Sequence, residues 1–547
     1  MNNKSTRKPL TAILIIAACF VVGFSAGLLL GNRHKLKDGE HIITVCATTD
    51  VHGAYFDAAY TEGEHNESSL SRVSTYIRKL RKEGKNPVLI DVGDALQGDN
   101  ASYYYNYVDT TDEHVFASIA KYLKYDALVV GNHDIEAGPA VYNRMLKTFP
   151  KSYLAANVYR TEGDDRGACY FQRCRIIKRD GLKIAIIGMT NGNIKNWLSE
   201  DKWKGMQFEN ISSMTQFVVE NVHKYYKPDL VILAVHSGMG NDFPAIENEA
   251  LYTARTTIGV DLVICGHDHK ADIKVTATNS GDVTPVLDAG TKAANVAVAE
   301  LKAIVVKHKV TSVTSRQEIV SMADYEPDPK YDRKFSKQYR KVYEFANKAV
   351  GAIDGDIDFE EGPKGPSACV NLVQTVQMKA SGADISFAAP LTISGKVNKG
   401  SIAFKDLAKI YRFENQLYVI RMTGAQIRDY LEFSYDNWVN QSGPAFNFDS
   451  ADGIIYEVSR SAAKGSRVRI ISMCDGTPFD LEKTYNVAMT SYRASGGGYL
   501  LRDGAGMDPR KIEIVEKMGD IREIIGDYLR EQGTVTPSVP TNWKWVD

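Results

Sequence analysis

Six short apolar runs, separated by longer amphipathic segments, dominate the chain between residues 41 and 310. They are rich in β-branched residues and have no polar face, which is typical of strands buried on both sides of an α/β sheet. The runs are Ile42–Ala47, Pro87–Val92, Ala127–Val130, Ile184–Gly188, Leu230–Val235 and Leu262–Cys265. Between them, Ser69–Gly84 and Met214–Tyr226 have the apolar spacing of helices. This alternation predicts a layered α/β core.

Five polar stretches stand at or just beyond the ends of these predicted strands. They are Asp50-Val51-His52-Gly53, Gly93-Asp94, Gly131-Asn132-His133-Asp134, His236-Ser237-Gly238 and Gly266-His267-Asp268-His269. In open α/β sheets, ligands bind at the carboxyl ends of the strands. We therefore expect the five stretches, which are distant in sequence, to converge on one site.

The residue types in these stretches suit two divalent metal ions, such as zinc or manganese. Imidazole and carboxylate groups bind such ions, and an amide oxygen can complete the set. The predicted ligands are Asp50, His52 and His269 for one ion, Asn132, His236 and His267 for the other, and Asp94 as a bridge between them. Two ions about 4 Å apart activate a water molecule and hold the attacking and leaving oxygens of a phosphoryl displacement. The identity of the metal cannot be read from this ligand set.

His133 follows a predicted ligand directly, so its ring is expected to point elsewhere. We assign it to the phosphoryl oxygen or the leaving group, as a proton donor or charge stabiliser. Glu136 lies one helical turn further on and is expected to orient the His133 ring. Any one of these short motifs is more often a surface turn or a polar pair. The prediction depends on all five occurring in this order, each after a strand.

The overall charge limits the class of partner. Lys plus Arg is 66 and Asp plus Glu is 67, so the chain lacks the basic excess of a protein that binds nucleic-acid polymers. A small anionic substrate needs only local charge and remains compatible with this balance. The sequence does not indicate the oligomeric state.

The N-terminal region, residues 1–40, differs in composition from the rest. Lys4, Arg7 and Lys8 precede an uncharged stretch from Leu10 to Leu30, which as a helix is about 32 Å long, close to the thickness of a bilayer core. We interpret it as a membrane anchor that holds the protein outside the cytoplasm, in the periplasm or at the cell surface. A cleaved signal peptide and a lipoprotein attached through Cys19 are the alternatives.

The order of the five polar motifs resembles that of the calcineurin-like metallophosphoesterases. The second half of the chain resembles the C-terminal domain of the 5′-nucleotidase family, which includes UDP-sugar hydrolases and 2′,3′-cyclic-nucleotide phosphodiesterases. The matching stretches there are Gly382-Ala383-Asp384-Ile385, Phe413-Glu414-Asn415, Met422-Thr423-Gly424 and Tyr492-Arg493-Ala494-Ser495-Gly496-Gly497. The resemblance implies a four-layer α/β/β/α metallophosphoesterase domain over residues 41–324. A linker helix (325–360) and an α+β substrate-binding domain (361–547) follow it.

The resemblance also implies where a nucleoside binds. In the family, two aromatic side chains of the C-terminal domain enclose the base, and stacking of this kind is worth ~1–3 kcal/mol per base. Tyr492 falls where one is expected, and Phe448 matches the spacing of the other, with Phe446 as a close rival. Core packing is the alternative role for either phenylalanine. Further residues that the resemblance places at the substrate are Asn415, Gly496 and Gly497.

Three departures from the family put the substrate in doubt rather than the reaction. Glu136 replaces the family's catalytic Asp, Ala388–Ile393 lacks an Arg that contacts substrate, and Gly496-Gly497-Gly498-Tyr499 lacks an Asp that binds ribose. The predicted function is hydrolysis of nucleotide phosphate esters by metal-activated water, of the 5′-nucleotidase or the 2′,3′-cyclic-nucleotide phosphodiesterase/3′-nucleotidase type. Phosphatases for sugar phosphates or other non-nucleotide phosphomonoesters are the alternative, and an inactive binding protein is a third hypothesis.

Overall fold

The structure is a computed structural model that describes residues 36–243 and 245–547. The predicted membrane anchor, the signal-peptide alternative and the lipoprotein cysteine Cys19 lie outside the described residues. Among the residues described, no helix combines the length and the apolar character needed to cross a bilayer. The chain divides into two compact units, one reaching to Lys195 and continuing over Glu200–Tyr339, the other comprising Asn196–Ser199 and Arg340–Asp547.

The first unit is built on two six-stranded sheets. Its strands are β1 (Gly39–Thr48), β2 (Val88–Asp91), β3 (Ala127–Val129), β4 (Tyr153–Leu154), β5 (Val158–Arg160), β6 (Cys174–Arg179), β7 (Leu182–Thr190), β8 (Met206–Phe208), β9 (Leu230–His236), β10 (Leu262–Cys265), β11 (Ala271–Ala277), β12 (Val283–Ala289), β13 (Asn295–Val306) and β14 (Lys309–Ser321). The first sheet has the order β14-β13-β1-β2-β3-β4 and the second β11-β12-β10-β9-β7-β6. Strands β1 to β4 of the first sheet are parallel, as are β7, β9, β10 and β12 of the second.

Helices pack on the outer faces of these sheets. They are α1 (Leu70–Lys82), α2 (Asn100–Tyr103), α3 (Val115–Leu123), α4 (Asn132–Glu136), α5 (Pro139–Thr148), α6 (Ile194–Trp197), α7 (Glu200–Trp203), α8 (Ile211–Tyr226), α9 (Ala250–Thr256) and α10 (Pro329–Ala346). Alternate residues of each strand point to opposite faces, so Ile184 and Ile186 of β7 join the core between the sheets. Ala185 and Ile187 pack instead against α8 and α9. The result is the four-layer α/β/β/α arrangement that the resemblance implies.

The second unit combines small sheets with three long helices. Its strands are β15 (Ala349–Ile353), β16 (Ile357–Asp358), β17 (Ile385–Ala388), β18 (Lys396–Val397), β19 (Gly400–Ala403), β20 (Gln416–Thr423), β21 (Ser450–Asp452), β22 (Ile454–Val458), β23 (Val468–Met473), β24 (Thr484–Thr490), β25 (Ile514–Asp520), β26 (Thr534–Val535) and β27 (Trp543–Trp545). Its helices are α11 (Ala368–Ser381), α12 (Phe404–Ile410), α13 (Gly424–Val439), α14 (Ser491–Ala494) and α15 (Ile521–Gln532). The largest sheet has the order β21-β17-β24-β20-β25, and its core is rich in aromatic side chains.

The predicted strands and helices are confirmed with small shifts at their ends. Leu262–Cys265 has the predicted bounds, and the predicted helix Ser69–Gly84 runs from Leu70 to Lys82. Ser69 precedes that helix and accepts a hydrogen bond from the backbone N–H of Arg72, as a helix-capping serine does. The predicted linker helix (325–360) corresponds to the shorter α10, which begins at Pro329, a residue type favoured in the first turn of a helix, and ends at Ala346.

Candidate active site

The five polar stretches converge at the carboxyl ends of β1, β2, β3, β9 and β10. Backbone hydrogen bonds join the first two directly: the N–H of Asp50 donates to Gly93 O, and that of His52 donates to Asp94 O, both at 2.9 Å. Two glycines allow this close approach. A Cβ atom on Gly131 would lie 2.1 Å from Asp94 Oδ1, and one on Gly266 would lie 1.9 Å from Thr49 Oγ1.

The first group of candidate ligands consists of Asp50, His52 and His269. The Nε2 atoms of the two histidines are 3.0 Å apart, and Asp50 Oδ1 lies 3.4 Å from that of His269 and 3.9 Å from that of His52. The other oxygen of Asp50 is occupied, because Oδ2 accepts hydrogen bonds from the Thr49 hydroxyl and from the backbone N–H of His267. Asp50 therefore presents one oxygen to the group.

The second group consists of Asp94, His236 and His267, with Asn132 beside it. His236 Nε2 lies 3.0 Å from Asp94 Oδ2 and 3.0 Å from Asn132 Oδ1. Asp94 Oδ1 accepts a hydrogen bond from the backbone N–H of His133 at 2.7 Å, which leaves Oδ2 directed at the group. The structure thus brings together the predicted ligands in the predicted groups. Whether Asp94 bridges two ions, and each residue's role as a ligand, stay predictions.

The donor set fits divalent cations. Nδ1 of His52 donates to Gln97 O at 3.0 Å and Nδ1 of His236 donates to Val92 O at 2.8 Å, so both rings turn Nε2 towards the ligand groups. Asp50 Oδ1 and Asp94 Oδ2 are buried carboxylate oxygens that face histidine nitrogens, with Nε2 of His269 at 3.4 Å and Nε2 of His236 at 3.0 Å. Buried carboxylates are costly unless they are paired with positive charge or bind a cation. The arrangement therefore favours positive charge at both groups.

The protonation states of the histidines are compatible with metal binding. Burial lowers the pKa of His52 to about 4 and that of His267 to about 3, so both rings are neutral and able to bind a metal. Burial also acts to lower the pKa of His236, but the charge of Asp94 outweighs it and raises the pKa to about 10. Without a metal the second group binds a proton, which a divalent ion would replace.

His133 occupies the first turn of α4, between the candidate ligands and Glu136. Its Nδ1 is hydrogen-bonded to Glu136 Oε2, and its ring lies 5.3 Å from the ring of His52. Burial acts to lower the pKa of His133, but the charges of Asp94 and Glu136 outweigh it and raise the pKa to about 9. The longer side chain of Glu136, compared with Asp, still reaches the ring. At neutral pH His133 is therefore a positively charged donor beside the candidate ligands.

Comparison with known proteins agrees with this geometry. The calcineurin-like phosphoesterase family model matches residues 43–271, and the model of the 5′-nucleotidase C-terminal domain matches residues 349–501. The first unit contains a calcineurin-like phosphoesterase domain. The chain is a phosphoester hydrolase whose first unit carries the phosphoesterase domain and whose second unit carries a 5′-nucleotidase C-terminal domain.

Named relatives cover most of this phosphoesterase. The trifunctional nucleotide phosphoesterase protein YfkN of Bacillus subtilis (strain 168) is 25% identical over 92% of the chain, and the chain spans 38% of that protein's length. The 2′,3′-cyclic-nucleotide 2′-phosphodiesterase/3′-nucleotidase of Haemophilus influenzae is 25% identical over 97% of the chain and 91% of its own length. The crystal structure of a 5′-nucleotidase precursor from Thermus thermophilus shares the fold, with a TM-score of 0.68, 21% identity, and coverage of 93% of this chain and 100% of that one.

Asp134 is a residue of the phosphoesterase domain that the sequence analysis passed over. Its Oδ1 accepts hydrogen bonds from the backbone N–H groups of Ala95 and Leu96, at 3.1 and 3.0 Å. Its Oδ2 accepts from those of Asp94 and Gly131, at 3.2 and 2.8 Å. One buried carboxylate thus ties together the loops that follow β2 and β3. Its position at the third residue of a helix that follows Gly131 is a capping pattern that the sequence does display.

Backbone strain marks the candidate ligands of this phosphoesterase. Asp50, His52, Asp94, His267 and His269 all have positive φ angles, of 48, 47, 56, 88 and 60°. Non-glycine residues rarely adopt this conformation, and it persists where surrounding structure imposes it, often at functional sites. The strain is spread over three separate loops, so it belongs to the site rather than to one turn.

In the 5′-nucleotidase C-terminal domain, the structure places the two phenylalanines differently. Phe448 is only 2% exposed and stacks on Trp438, with ring centres 5.6 Å apart, within the hydrophobic core. Its predicted role in base stacking is corrected to core packing. Phe446 is half-buried and lies edge-on to Phe413, 5.9 Å away. Phe413, also half-buried, belongs to the Phe-Glu-Asn stretch that the sequence analysis quoted without considering its ring.

The remaining candidate substrate residues lie in two loops of the same domain. Tyr492 is half-buried at the start of α14, and a Cβ atom on Gly497 would lie 2.4 Å from its ring, so Gly497 packs directly on the aromatic surface. Gly496 has a φ of 102°, which favours glycine. Asn415 is buried, its Nδ2 donates to the Tyr411 hydroxyl at 3.4 Å, and its backbone oxygen accepts from Ile521 N. Contact of these residues with substrate stays a prediction.

Proposed function

We propose that this phosphoesterase hydrolyses nucleotide phosphate esters with two divalent metal ions. The observation that carries the proposal is the pair of buried carboxylate oxygens, Asp50 Oδ1 and Asp94 Oδ2, each facing histidine nitrogens. The printed names of the relatives, a nucleotide phosphoesterase and a 2′,3′-cyclic-nucleotide 2′-phosphodiesterase/3′-nucleotidase, support the substrate class. The presence of the 5′-nucleotidase C-terminal domain supports it independently.

In this mechanism the chain's residues bind, orient and stabilise charge. One ion would be held by Asp50, His52 and His269, the other by Asn132, His236 and His267, with Asp94 between them. Bound divalent ions supply the activation of a water molecule and much of the charge that stabilises a phosphoryl transition state. The Nδ1–H groups of His52 and His236 are held by the carbonyl groups of Gln97 and Val92, so Nε2 of each ring is oriented before a metal binds.

His133 stabilises the charge that develops on the phosphoryl oxygen or the leaving group. Burial acts to lower the pKa of His133, and the charge of Glu136 acts to raise it whether or not bound ions neutralise Asp94. Nδ1 is held by Glu136, which leaves Nε2–H available for the substrate. Preorganised donors of this kind typically contribute ~10²–10³-fold to the rate.

The C-terminal domain would bind the nucleoside through exposed parts of Tyr492, Phe446 and Phe413. Tyr492 and the Phe446–Phe413 pair are half-buried, so their rings keep accessible surface. Every nucleobase has a flat π-face that can stack on such rings, whatever hydrogen-bond donors and acceptors lie on its edges. Asn415, Gly496 and Gly497 shape the loops that carry these rings.

Phosphate release by the soluble fragment from residue 41 tests the proposal. The substrates are 5′-, 3′- and 2′,3′-cyclic nucleotides, sugar phosphates and an aryl phosphate, each with manganese or zinc and with a chelator. Ring opening of a 2′,3′-cyclic nucleotide gives a nucleoside monophosphate and no free phosphate, so formation of that monophosphate is measured as release for those substrates. We expect metal-dependent release with a preference for nucleotides. Release that persists after complete metal removal would contradict the metal centre, whereas metal-dependent release from every substrate except nucleotides would contradict the nucleotide assignment alone.

A second candidate keeps the chemistry and changes the substrate to sugar phosphates or other phosphomonoesters. It is favoured by the run Gly496 to Gly498, which offers no polar side chain to the hydroxyl groups of a ribose. The same substrate panel decides between the two.

The predicted location outside the cytoplasm, with residues 10–30 as the anchor, forms part of the proposal. Fractionation of cells that produce the full chain, before and after a high-salt wash, tests it. Retention in the membrane fraction is expected for an anchor or a lipid-linked Cys19. Complete release of a shortened chain would instead favour a cleaved signal peptide.

A further inference from the structure

Arg493 is a buried cation that joins two loops of the 5′-nucleotidase C-terminal domain. It is 4% exposed and forms a two-point ion pair with Asp449, in which Nε donates to Oδ2 and Nη2 donates to Oδ1, both at 2.9 Å. The Tyr430 hydroxyl donates to the same carboxylate. Asp449 ends the Phe446 loop (residues 445–449), whereas Arg493 lies in the Tyr492 loop (residues 491–498).

The remaining donors of Arg493 are also occupied by the protein. Nη1 donates to Asn447 Oδ1 at 2.9 Å and to Gly497 O at 3.1 Å, and Nη2 donates to Phe446 O. A guanidinium group has five N–H donors, and these contacts use all of them. Arg493 therefore has no donor left for a substrate phosphate or hydroxyl group. Its contacts instead hold the Phe446 loop through the backbone oxygen of Phe446 and the side chains of Asn447 and Asp449, and the Tyr492 loop through the backbone oxygen of Gly497.

The contacts of Arg493 leave no room for a side chain at Gly498. A Cβ atom there would lie 2.5 Å from Arg493 Nη1 and 2.5 Å from Asn447 Oδ1, on the hydrogen bond that joins them. Its φ of 70° adds a second preference for glycine. The hydrogen bond between Arg493 and Asn447 thus occupies the space that a side chain at position 498 needs.

We propose that Arg493 is a positioning residue that sets the distance between the rings of Phe446 and Tyr492 for a planar base. The guanidinium carbon lies 5.4 Å from the centre of the Tyr492 ring, so Arg493 contacts one candidate ring directly and holds the loop of the other. A pair of loops held in place loses less conformational entropy when a ligand binds between them. The inference rests on the proposed nucleotide activity and adds the element that determines nucleotide affinity.

The substitution Gly498→Ala tests the proposal, because its Cβ displaces the Arg493–Asn447 hydrogen bond without removing either side chain. Gly506→Ala is the matched control, since Gly506 has a similar φ of 67° but has no atom within 4 Å of an added Cβ. We measure KM and kcat for a nucleotide and for an aryl phosphate, and the affinity of the metal-depleted protein for a nucleoside.

Gly498→Ala is expected to raise the nucleotide KM and to weaken nucleoside binding by about tenfold, as expected when preorganisation is lost. The values of kcat and the aryl phosphate kinetics should stay within about twofold, and Gly506→Ala should match the unmodified protein in every measurement. Equal losses for nucleotide and aryl phosphate, or an unchanged nucleotide KM, would overturn the positioning role.

A second pair of variants covers the case in which Gly498→Ala does not fold. Asn447→Ala removes one acceptor of Arg493 at a half-buried position, whereas Asn447→Asp keeps an oxygen there. We expect Asn447→Ala to raise the nucleotide KM and Asn447→Asp to restore it. Similar KM values for these two variants overturn the inference. Unmodified protein that hydrolyses aryl phosphate but no nucleotide overturns the proposed substrate instead, and can be recognised before any variant is made.

Discussion

Replacing Asp134 by Asn changes one atom in the carboxylate that ties the loops after β2 and β3 together. Each oxygen of Asp134 accepts two backbone N–H groups, in pairs formed by Ala95 with Leu96 and by Asp94 with Gly131. An asparagine presents its NH₂ group to one of these pairs, where donor faces donor. Either orientation of the amide therefore loses two hydrogen bonds.

The size of the effect follows from that count. Hydrogen bonds to a charged group contribute about 1.5–3 kcal/mol each, so two of them contribute about 3–6 kcal/mol. Burial and the charge of Asp94 raise the pKa of Asp134, so the carboxylate carries a cost in the metal-free protein that Asn removes. That cost offsets part of the loss. Bound cations neutralise Asp94, so we expect a larger destabilisation in the metal-loaded protein and metal binding weakened by tenfold or more.

Urea denaturation of the metal-free and the metal-loaded protein measures both quantities, together with titration of manganese or zinc. Asp229→Asn is the control, because Asp229 accepts one backbone N–H, from Lys183 at 2.7 Å, which an amide oxygen accepts equally well. We expect the control to leave stability and metal affinity unchanged. A metal affinity for Asp134→Asn within twofold of the unmodified protein would refute the role assigned to this carboxylate.

Three further predictions follow from the site and the core. Asp94→Asn and His133→Ala should each lower phosphate release by ~10²-fold or more in protein that still folds, and near-normal turnover in either would refute its assignment. Tyr492→Ala should raise the KM for nucleotides and leave the KM for an aryl phosphate unchanged. Phe448→Ala should lower the free energy of unfolding by about 3–5 kcal/mol, because Phe448 is buried in the core. A raised nucleotide KM for Phe448→Ala and a loss of stability for Tyr492→Ala would show that the two roles are assigned the wrong way round. Burial raises the pKa of Asp288 from 3.8 to about 9, so between these pH values the folded protein keeps a proton that the unfolded chain has released. The free energy of unfolding of the metal-free protein should therefore fall across that range by up to about 1.4 kcal/mol per pH unit. Asp288→Asn should flatten this slope in urea denaturation measured at several pH values, and an unchanged slope would contradict the raised pKa.

The inner strands of the phosphoesterase domain could be predicted because they are buried on both faces. Such strands have no polar positions, so runs such as Leu262–Cys265 stand out from their surroundings. The long hairpin of β13 and β14 was not predicted, although β13 pairs with β1 along nearly its whole length. β14 is an edge strand with polar residues on most positions, and the partner of β13 lies more than 200 residues away in the chain. Local patterns carry no information about such distant pairing.

Within the candidate site, convergence was predictable and orientation was not. Parallel strands end at one edge of a sheet, so residues that follow them directly must lie near one another. The burial of Phe448 depends instead on Trp438 of a helix, which stacks on it and in turn packs against Trp543 near the end of the chain. Likewise, Arg493 looks in the sequence like a free cation beside a glycine-rich loop. Only the fold shows that Asp449, 44 residues earlier, already neutralises it.

The positive φ angles of the candidate ligands set a trade-off between stability and chemistry in this enzyme. A left-handed conformation costs an L-residue roughly 1–2 kcal/mol relative to glycine. Glycine at His52 or His269 would relieve that cost, so the metal-free protein should become more stable as it loses a ligand. Random mutagenesis selected only for thermostability, in the presence of a chelator, would thus be expected to erode the ligand loops before the core. The same selection with metal present would preserve them, because the bound ions then stabilise the folded chain.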